Sequence, residues 1–241
     1  DKVGADFRIL DHDLSYIPSL KNNLGRHHNR IFEIKDIYEK ENYERIVHID
    51  ADCIIHPDCP NLFDLVEPHR IGTVFEDVGS RQADRRSRLV DIQNQWGNVG
   101  IQSGYINTGV FVTSRCHKDI FQPHRVAVDC KKEIDNSLMQ FIYEEDRYWT
   151  NNGFDDVHLR WMIGRYNYEM QLLPKELNFM SMWLEEWNGG LHNFKDAMIS
   201  HHAGAGHTWL AKNRIEQMKL VREEWYGKTN PVTEKLHRLC G

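Results

Sequence analysis

Hydrophobic residues along this chain follow two spacings, which predict alternating strands and helices. Short β-branched or alternating runs predict strands at residues 6–10, 46–49, 71–76 and 104–113, in EMQLLP up to Pro174, and at 196–202. Helical spacing predicts helices at residues 31–40, in NLFDLVE, twice within 117–146, and at 154–165, 209–224 and 231–239. Strands alternating with helices indicate an α/β fold with a mostly parallel sheet. No repeat or interdomain linker interrupts residues 1–241, so we expect a single domain with a helical end from about residue 209.

The strand at 46–49 ends in the most informative stretch, YERIVHIDADCIIHPD, at residues 43–58. Asp50 and Asp52 stand where this β-branched run stops, which is the usual position of ligand chemistry in an open α/β sheet. Two carboxylates at this spacing can converge on one hard divalent cation, directly or through water. We therefore predict a metal site at Asp50 and Asp52.

Spacing alone does not identify this site, because Asp11-His12-Asp13 has the same pattern. The context favours the second pair. An apolar strand precedes it, the small Ala51 leaves space between the carboxylates, and a proline-containing turn followed by a helix comes next.

A second informative stretch is ISHHAGAGHTW, at residues 199–209. A histidine at a strand end, followed by small residues, can offer an imidazole nitrogen to a metal while backbone N–H groups surround an anion. The alternative is an exposed loop with clustered histidines, in a chain that has 14 of them.

Composition limits the classes of partner. A net charge of −6 and a pI near 6.2 argue against nucleic acid, which needs a basic face. No apolar run approaches the length of a membrane span, and no signal peptide is visible. The five cysteines are an odd, scattered set without a disulfide pattern. Cys53 and Cys59 flank His56, but their spacing fits no common zinc pattern, so we favour free thiols in a reducing, cytoplasmic compartment.

Taken together, the motifs of residues 43–209 resemble the metal-dependent glycosyltransferases of the GT-A fold, and within them the retaining family 8, which includes glycogenin and lipooligosaccharide galactosyltransferases. That family has D-x-D after a strand, then YFN-[AS]-GV, D-Q-D-x-L, LP-x-x-x-NF and H-x-x-G-x-x-K-P-W. The matching residues are Asp50-Ala51-Asp52, Tyr105 to Val110, Asp155-Asp156, Leu173-Pro174 with Asn178-Phe179, and His201 with Gly204 and Trp209. The resemblance implies a Rossmann-like GT-A domain, a mixed and mostly parallel sheet flanked by helices.

The resemblance also implies a ligand set for the metal and the donor. It assigns Asp50, Asp52 and His201 to the metal, and oxygen ligands with one imidazole suit Mn²⁺ first and Mg²⁺ second. His202 competes with His201, although alternation along a strand points the two side chains in opposite directions. The donor site implied by the motifs is Asp50, Ala51, Asp52, Asn107, Thr108, Gly204 and His207.

The same resemblance makes Asn107, Asp155 and Asp156 the candidates for catalysis. Gly104 and Gly109 permit close approach of the backbone to a ligand near Asn107. The alternative for Asn107 is a strand-end asparagine that bonds its own backbone. Carboxylates at a helix start are also favoured as caps, whatever the function. Whether retention proceeds through a covalent intermediate or by same-face attack stays open.

Two departures from the family pattern change the expectations. His207-Thr208 replaces Lys-Pro, so the positive charge near the diphosphate must come from elsewhere, for example Lys212 or the arginines of residues 81–88. For those arginines, Arg81, Arg85, Arg86 and Arg88, we favour a solvated surface helix. The first strand and helix of the family are not in this sequence, so either the chain is a piece of a longer protein or the base pocket forms otherwise. Core packing is favoured over sugar stacking for most of Trp161, Trp183, Trp187 and Trp209.

The sequence therefore predicts transfer of a sugar from a nucleoside diphosphate donor, UDP-linked, to a hydroxyl of a glycan, lipid-linked glycan or protein, with retention. Two alternatives stay open. One is a sugar-1-phosphate nucleotidylyltransferase, whose N-terminal glycine-rich phosphate loop is not visible here. The other is a domain that binds nucleotide or glycan without turnover. The sequence gives no prediction of the oligomeric state.

Overall fold

The computed structural model describes residues 29–121, 155–180, 196–203 and 213–227. The helices are α1 (Asn29–Lys40), α2 (Leu62–Leu65), α3 (Gln82–Trp96), α4 (Asp155–Arg165) and α5 (Arg214–Tyr226). The strands are β1 (Arg45–Ile49), β2 (Cys53–Ile55), β3 (Ile71–Phe75), β4 (Ile106–Ser114), β5 (Met170–Leu172), β6 (Phe179–Met180) and β7 (Ile199–His201). Short 3-10 helices lie at Gly79–Arg81, Arg115–Ile120 and Lys175–Asn178.

Most predicted elements that fall on these residues are present, with shifted ends. The start of the predicted helical region 117–146 is a 3-10 helix, and residues 122–146 lie outside the described residues. The predicted strand at 6–10 and the predicted helix at 231–239 also lie outside them. No helix in the described part of the chain is long and apolar enough to cross a membrane.

The strands form two mixed sheets, so the predicted α/β class is confirmed. The first sheet has the order β1-β4-β3-β5 and the second has the order β2-β7-β6. Strand β4 runs antiparallel to both of its neighbours, and β2 runs antiparallel to β7. The two parallel pairs are β3 with β5 and β6 with β7. Antiparallel pairs thus predominate in the described residues, because β4 lies between two strands of opposite direction, and the expected excess of parallel pairs is not seen there.

Strand β4 is buried along its whole length because its two faces enter different cores. Ile106 and Phe111 pack with side chains of α1, α3 and α4, including Trp161, whose core position was expected. Val110 and Val112 pack instead with residues of α2, β6 and β7. Strict alternation would put Ile106 on the same face as Val110, so the facing changes between them.

A β-bulge in β4 produces this change of face. Thr73 of β3 lies opposite Phe111, whereas the next residue, Val74, lies opposite Asn107. The extra residues of β4 therefore have no partner on β3, which bends the strand. The kink predicted from the glycine and asparagine of this segment is confirmed. It brings residues 107–109 towards the second sheet.

The turn that carries the two aspartates joins the sheets. It runs from the end of β1, a strand of the first sheet, to the start of β2, a strand of the second sheet. The backbone N–H of Asp50 donates to the carbonyl of Gly109 on β4, at 3.0 Å. The backbone N–H of His202, after β7, donates to the carbonyl of Asp52 at 2.9 Å. Both sheets therefore hold this turn in place.

Helix α3 differs from its expected place on the surface. The guanidinium of Arg85 is buried, donates from Nε to Oε1 of Glu76 at 2.7 Å, and lies 5.1 Å from the ring centre of Tyr105. Arg86 pairs with the buried carboxylate of Asp77, at 3.0 Å. The prediction of a solvated helix face is wrong for Arg85, because carboxylates at the end of β3 draw these guanidinium groups towards the sheet.

Candidate metal and donor site

The two aspartates and the predicted histidine meet at the junction of the two sheets. Nε2 of His201 lies 3.4 Å from Oδ1 of Asp52 and 3.7 Å from Oδ2 of Asp50. The imidazole is almost fully buried, whereas both carboxylates are partly exposed. The pairing of Cys53 with His201 between β2 and β7 sets this arrangement, because it places the turn beside the end of β7.

His48 is a further histidine at this site, and the sequence analysis did not assign it. Its Nε2 lies 2.9 Å from Oδ1 of Asp50, so the two oxygens of Asp50 face two different imidazoles. His48 precedes Asp50 by two residues on an extended segment, and side chains at this spacing share a face. That periodicity was the signal that could have found it.

The tightest group of potential metal ligands in the described residues is Asp52, Cys53 and His201. Their ligand atoms all lie within 4.8 Å of one another, and Asp50 is not part of this compact group. Cys53 is not in a disulfide, and its Sγ lies 3.7 Å from the carbonyl oxygen of Gly109. Cys59 and Cys116 are also outside any disulfide. The preference for thiols over zinc at Cys53 and Cys59 stays a prediction.

These residues fit a hard divalent cation. In an octahedral shell with ligands about 2.1 Å from the ion, neighbouring ligand atoms are about 3 Å apart. The 3.4 Å between Asp52 and His201 needs only a small contraction to reach that geometry. Asp50 is farther away, so it would move inwards or bind through a water molecule. Carboxylates with one imidazole favour Mn²⁺, whereas a thiolate ligand would favour zinc.

A chain of hydrogen bonds behind His201 fixes which ring nitrogen carries a proton. The backbone N–H of Gly109 donates to Oδ1 of Asn107 at 3.0 Å, which identifies that atom as the amide oxygen. Nδ2 of Asn178 donates to the same oxygen at 2.8 Å. Oδ1 of Asn178 is therefore left to accept from Nδ1–H of His201, at 2.9 Å.

The consequence is that Nδ1 of His201 carries a proton, so Nε2 is the ring nitrogen that is directed at Asp50 and Asp52 and can bind a cation. A metal-bound imidazole typically donates its other N–H to a neighbouring acceptor, which sets the tautomer and the ring orientation. Asn178 has this position here. The sequence motif contained Asn178. Its role, however, depends on hydrogen bonds to Asn107, which lies 71 positions earlier, and to His201, which lies 23 positions later.

The absence of a side chain at Gly109 leaves room for the His201 ring. A Cβ atom added at this residue would lie 2.2 Å from Cε1 and 2.5 Å from Nδ1 of His201. Any other residue would therefore displace the imidazole, the hydrogen-bonded side chains of Asn107 and Asn178, or the strand. The sequence predicted that a ligand could approach the backbone closely at Gly109. In the structure the group at this position is the His201 ring.

The hydrogen-bond chain continues away from His201 to a buried ion pair. Nδ2 of Asn107 donates to Oε2 of Glu76 at 3.2 Å, and Oε1 of Glu76 accepts from Arg85. Burial raises the pKa of Glu76, although the charge of Arg85 acts in the opposite direction. Breaking a buried pair leaves one charge uncompensated, so this pair anchors the asparagines firmly.

The predicted catalytic carboxylates contact β4 at Thr108. Oδ1 of Asp156 accepts from the backbone N–H of Thr108 at 2.9 Å and from its hydroxyl at 2.7 Å. Oδ2 of Asp155 lies 3.2 Å from the same hydroxyl. Asp155 is 2% exposed, and Asp156 is half-buried. Both carboxylates thus contact the neighbouring strand.

The predicted donor residues fall into two groups. Asp50, Ala51 and Asp52 lie in the partly open turn, whereas the side chains of Asn107 and Thr108 are buried behind it. Asn107 makes the backbone bond that was the alternative for it, and it also links Glu76 to Asn178. Gly204 and His207, like Lys212, lie outside the described residues.

His202 is directed away from the carboxylates. Its Nε2 lies 3.1 Å from the hydroxyl of Ser200, and its imidazole is buried. Burial lowers the pKa of His202 to about 4, and the nearby charge of Asp52 offsets only part of this effect. Of the two competing histidines, His201 is therefore the one that faces the aspartates.

Asp52 also has a cationic partner that the sequence analysis missed. Nη1 of Arg214, at the start of α5, lies 2.9 Å from Oδ2 of Asp52. Burial tends to raise the pKa of Asp52, but the hydrogen bond and charge of His201, with the charge of Arg214, outweigh it and lower that pKa. The carboxylate is therefore held in its ionised form, which is the form that binds a cation.

This chain is similar to a small number of solved structures at low sequence identity. No protein-family model matches the chain, and no curated protein is similar to it at a significant level. The WbbM bifunctional glycosyltransferase in its apo form is 14% identical with a TM-score of 0.49, over 88% of this chain but 37% of that one. A glycosyltransferase involved in glycosylation of the major capsid of PBCV-1 is 13% identical with a TM-score of 0.45, over 83% of this chain and 77% of that one.

A third similar structure is the galactosyltransferase LgtC in complex with donor and acceptor sugar analogs. It is 14% identical with a TM-score of 0.48, over 91% of this chain and 73% of that one. All three of these solved structures are glycosyltransferases.

Proposed function

We propose that this chain is a metal-dependent glycosyltransferase. It moves a sugar from a UDP-sugar to a hydroxyl of a glycan, lipid-linked glycan or protein, with retention of the anomeric configuration. The observation that carries the proposal is the position of Nε2 of His201 between Asp50 and Asp52, at 3.7 and 3.4 Å. Residues far apart in the sequence are brought to one point, with an imidazole nitrogen and two carboxylates directed at it.

Electrostatics explains why a sugar nucleotide would need a cation here. The diphosphate of the donor is repelled by two ionised carboxylates at the same place. A divalent ion, Mn²⁺ first and Mg²⁺ second, would be held by Asp52, by Nε2 of His201 and by Asp50 directly or through water. When bound, it neutralises the diphosphate and stabilises the charge that grows on the leaving group.

The remaining predicted residues would act on the donor sugar. Asp156 is half-buried and Asp155 is fully buried, so Asp156 is the carboxylate better placed to reach a ligand. Asp155 and Asn107 would position β4, because their hydrogen bonds go to Thr108 and to Gly109. In this proposal Asp156 binds sugar hydroxyls or stabilises positive charge at the anomeric centre during transfer.

The test is a transfer assay on the full chain with a panel of labelled UDP-sugars and hydroxyl acceptors. We expect transfer with Mn²⁺, loss of transfer with EDTA, and recovery when Mn²⁺ is added back. Asp52→Asn should lose more activity than the roughly 10- to 100-fold that removing a group behind a metal ligand costs.

Asp58→Asn is the matched control, because Asp58 lies six residues farther along and its side chain is 86% exposed. It should leave transfer unchanged. Full transfer by an Asp50→Asn and Asp52→Asn double variant in EDTA would contradict the proposal.

A further inference from the structure

Arg214 reaches the candidate site from helix α5. The cap before it is Asn213, whose side chain accepts from the N–H of Glu216, so the helix start is fixed locally. The Arg214 side chain is 40% exposed, and its Nη1 lies 2.9 Å from Oδ2 of Asp52. The contact joins residues 162 positions apart.

The two oxygens of Asp52 have different neighbours. Oδ1 lies 3.4 Å from Nε2 of His201, and Oδ2 receives the Arg214 guanidinium. A cation bound at Oδ1 and the guanidinium at Oδ2 would therefore be neighbours on one carboxylate. A guanidinium has five N–H donors in a flat fork, so one contact with Asp52 leaves donors for a second anion.

Stability alone gives a weak reason for this pair. Ion pairs that are substantially exposed typically contribute about 0–1 kcal/mol to folding. Charge balance gives a stronger one. Asp50 and Asp52 bring two negative charges, and each phosphate of a diphosphate brings at least one more. A single divalent cation leaves that cluster negative, so a further positive charge beside it is favourable.

Arginines on α3 were expected to be candidates for this charge. Arg85 is bound to Glu76 and Arg86 is bound to Asp77, in each case a buried carboxylate at the end of β3. Arg214 instead lies on the carboxylate that faces His201. Among the cations that the structure describes, it is therefore the better placed to contact an anion at the metal site.

We propose that Arg214 is a second cationic group of the donor site, which binds the diphosphate of the sugar nucleotide beside the metal; this rests on the proposed function. In transfer, the bond between the anomeric carbon and the β-phosphate oxygen breaks, and its electron pair stays on that oxygen. The acceptor oxygen forms the new bond to the anomeric carbon and releases its proton to water. Arg214 stabilises the extra negative charge on the departing diphosphate.

The test uses calorimetry on the full chain with Mn²⁺ alone, and with UDP or UMP in the presence of Mn²⁺. For Arg214→Ala we expect the UDP affinity to fall by roughly 10- to 100-fold, the range for hydrogen bonds to charged groups. The loss for UMP should be smaller, because UMP lacks the β-phosphate. Arg214→Lys should recover part of the UDP affinity, because lysine keeps the charge without the fork.

Two further measurements separate binding of the diphosphate from support of Asp52. The affinity for Mn²⁺ alone should not fall in Arg214→Ala, because the variant removes a positive charge that would repel the cation. Lys219→Ala removes one exposed charge from the same helix and should leave all three affinities unchanged.

The outcomes distinguish this inference from the function it rests on. If wild-type protein binds neither Mn²⁺ nor UDP, the proposed function fails. If wild-type protein binds both and Arg214→Ala binds UDP equally well, only the role of Arg214 is wrong. An equal loss of Mn²⁺ affinity and UDP affinity would also overturn it, because Arg214 would then merely hold Asp52.

Discussion

Two histidines in this molecule are buried to a similar extent but have different hydrogen-bond partners. His117 lies in the 3-10 helix after β4 and is 0% exposed, and His201 ends β7 and is 3% exposed. Nδ1 of His117 accepts from the backbone N–H of Ser114 at 3.0 Å, and its Nε2 bonds the carbonyl of His69 at 3.1 Å. Both of its ring nitrogens are thus satisfied by backbone groups.

His201 has only one ring nitrogen in such a position. Its Nδ1 bonds Asn178 at 2.9 Å, but its Nε2 faces two carboxylates at 3.4 and 3.7 Å. Those distances exceed the range of about 2.7–3.2 Å for a good N–H···O bond. Burial therefore does not separate a structural histidine from a candidate metal ligand. The partners do: backbone atoms close the first site, and ionised side chains leave the second open to a cation.

The largest expected effect comes from Gly109→Ala, which changes no proposed ligand. The added methyl group would lie 2.2 Å from Cε1 of His201, so the ring or the strand must shift and the position of Nε2 relative to Asp52 changes. We expect the Mn²⁺ affinity of the folded protein, measured by calorimetry, to fall by at least the roughly 10- to 100-fold typical of disturbed ligand support.

Gly72→Ala is the matched control for this prediction. Its added methyl group would meet Val66 at 2.4 Å, in the core that contains Val112. Overpacking of this kind typically costs about 1–3 kcal/mol of stability. The melting temperature should fall while the Mn²⁺ affinity stays unchanged. Equal Mn²⁺ binding by Gly109→Ala and wild type would mean that His201 is not a ligand.

A smaller effect is expected for Asn178→Ala, which removes the acceptor of the His201 Nδ1–H. Without it the imidazole can rotate or change tautomer, so Nε2 no longer presents its lone pair reliably. We expect a loss of roughly 10- to 100-fold in Mn²⁺ affinity, measured by calorimetry.

Asn61→Ala serves as the comparison, because Asn61 caps α2 by accepting from the N–H of Phe63 at 3.1 Å. Loss of a cap typically costs about 0.5–2 kcal/mol of stability and should leave the metal affinity intact. If Asn178→Ala behaved like Asn61→Ala, the hydrogen-bond chain behind His201 would have only a structural role.

The smallest effect on binding is expected at the other histidine. His117→Asn should lower the free energy of unfolding by about 1–3 kcal/mol, because backbone groups of Ser114 and His69 lose their partner. It should leave the Mn²⁺ affinity unchanged. Chemical denaturation and calorimetry on the same preparations would measure both quantities.

The pH dependence of stability gives a second readout for His117. Burial is the largest cause of its lowered pKa, and the charges of Arg45 and His69 act in the same direction. The unfolded chain, with a histidine pKa of about 6.5, therefore takes up a proton at a higher pH than the folded chain. This contribution to stability is complete above that pH and is lost as the pH falls. His117→Asn should reduce that loss; an unchanged pH profile would contradict the assignment.

The sequence predicted the parts of the site that depend on local periodicity. A β-branched run ending in D-x-D placed Asp50 and Asp52 correctly after a strand. The family motif favoured His201 over His202, and alternation put the two side chains on opposite faces. The kink near Gly109 was also predicted from the local sequence. These features depend on residues close together along the chain, so their patterns carry the information.

Other parts could not be predicted because they depend on contacts between distant segments. Arg85 lies in a polar, arginine-rich segment that is typical of a surface helix. Its burial depends on the ion pair with Glu76 at the end of β3. Arg214 meets Asp52 across 162 positions. The reversed direction of β4, which makes the described sheet more antiparallel than expected, depends on pairings with both β1 and β3.

The central claim is that one divalent cation binds between the two sheets at Asp50, Asp52 and His201. Anomalous diffraction from crystals grown with Mn²⁺ and UDP tests it most directly. We predict one anomalous peak bonded to a carboxylate oxygen of Asp52 and to Nε2 of His201, with Asp50 bound directly or through one water. A peak held by other residues, or none at saturating Mn²⁺, would contradict the account.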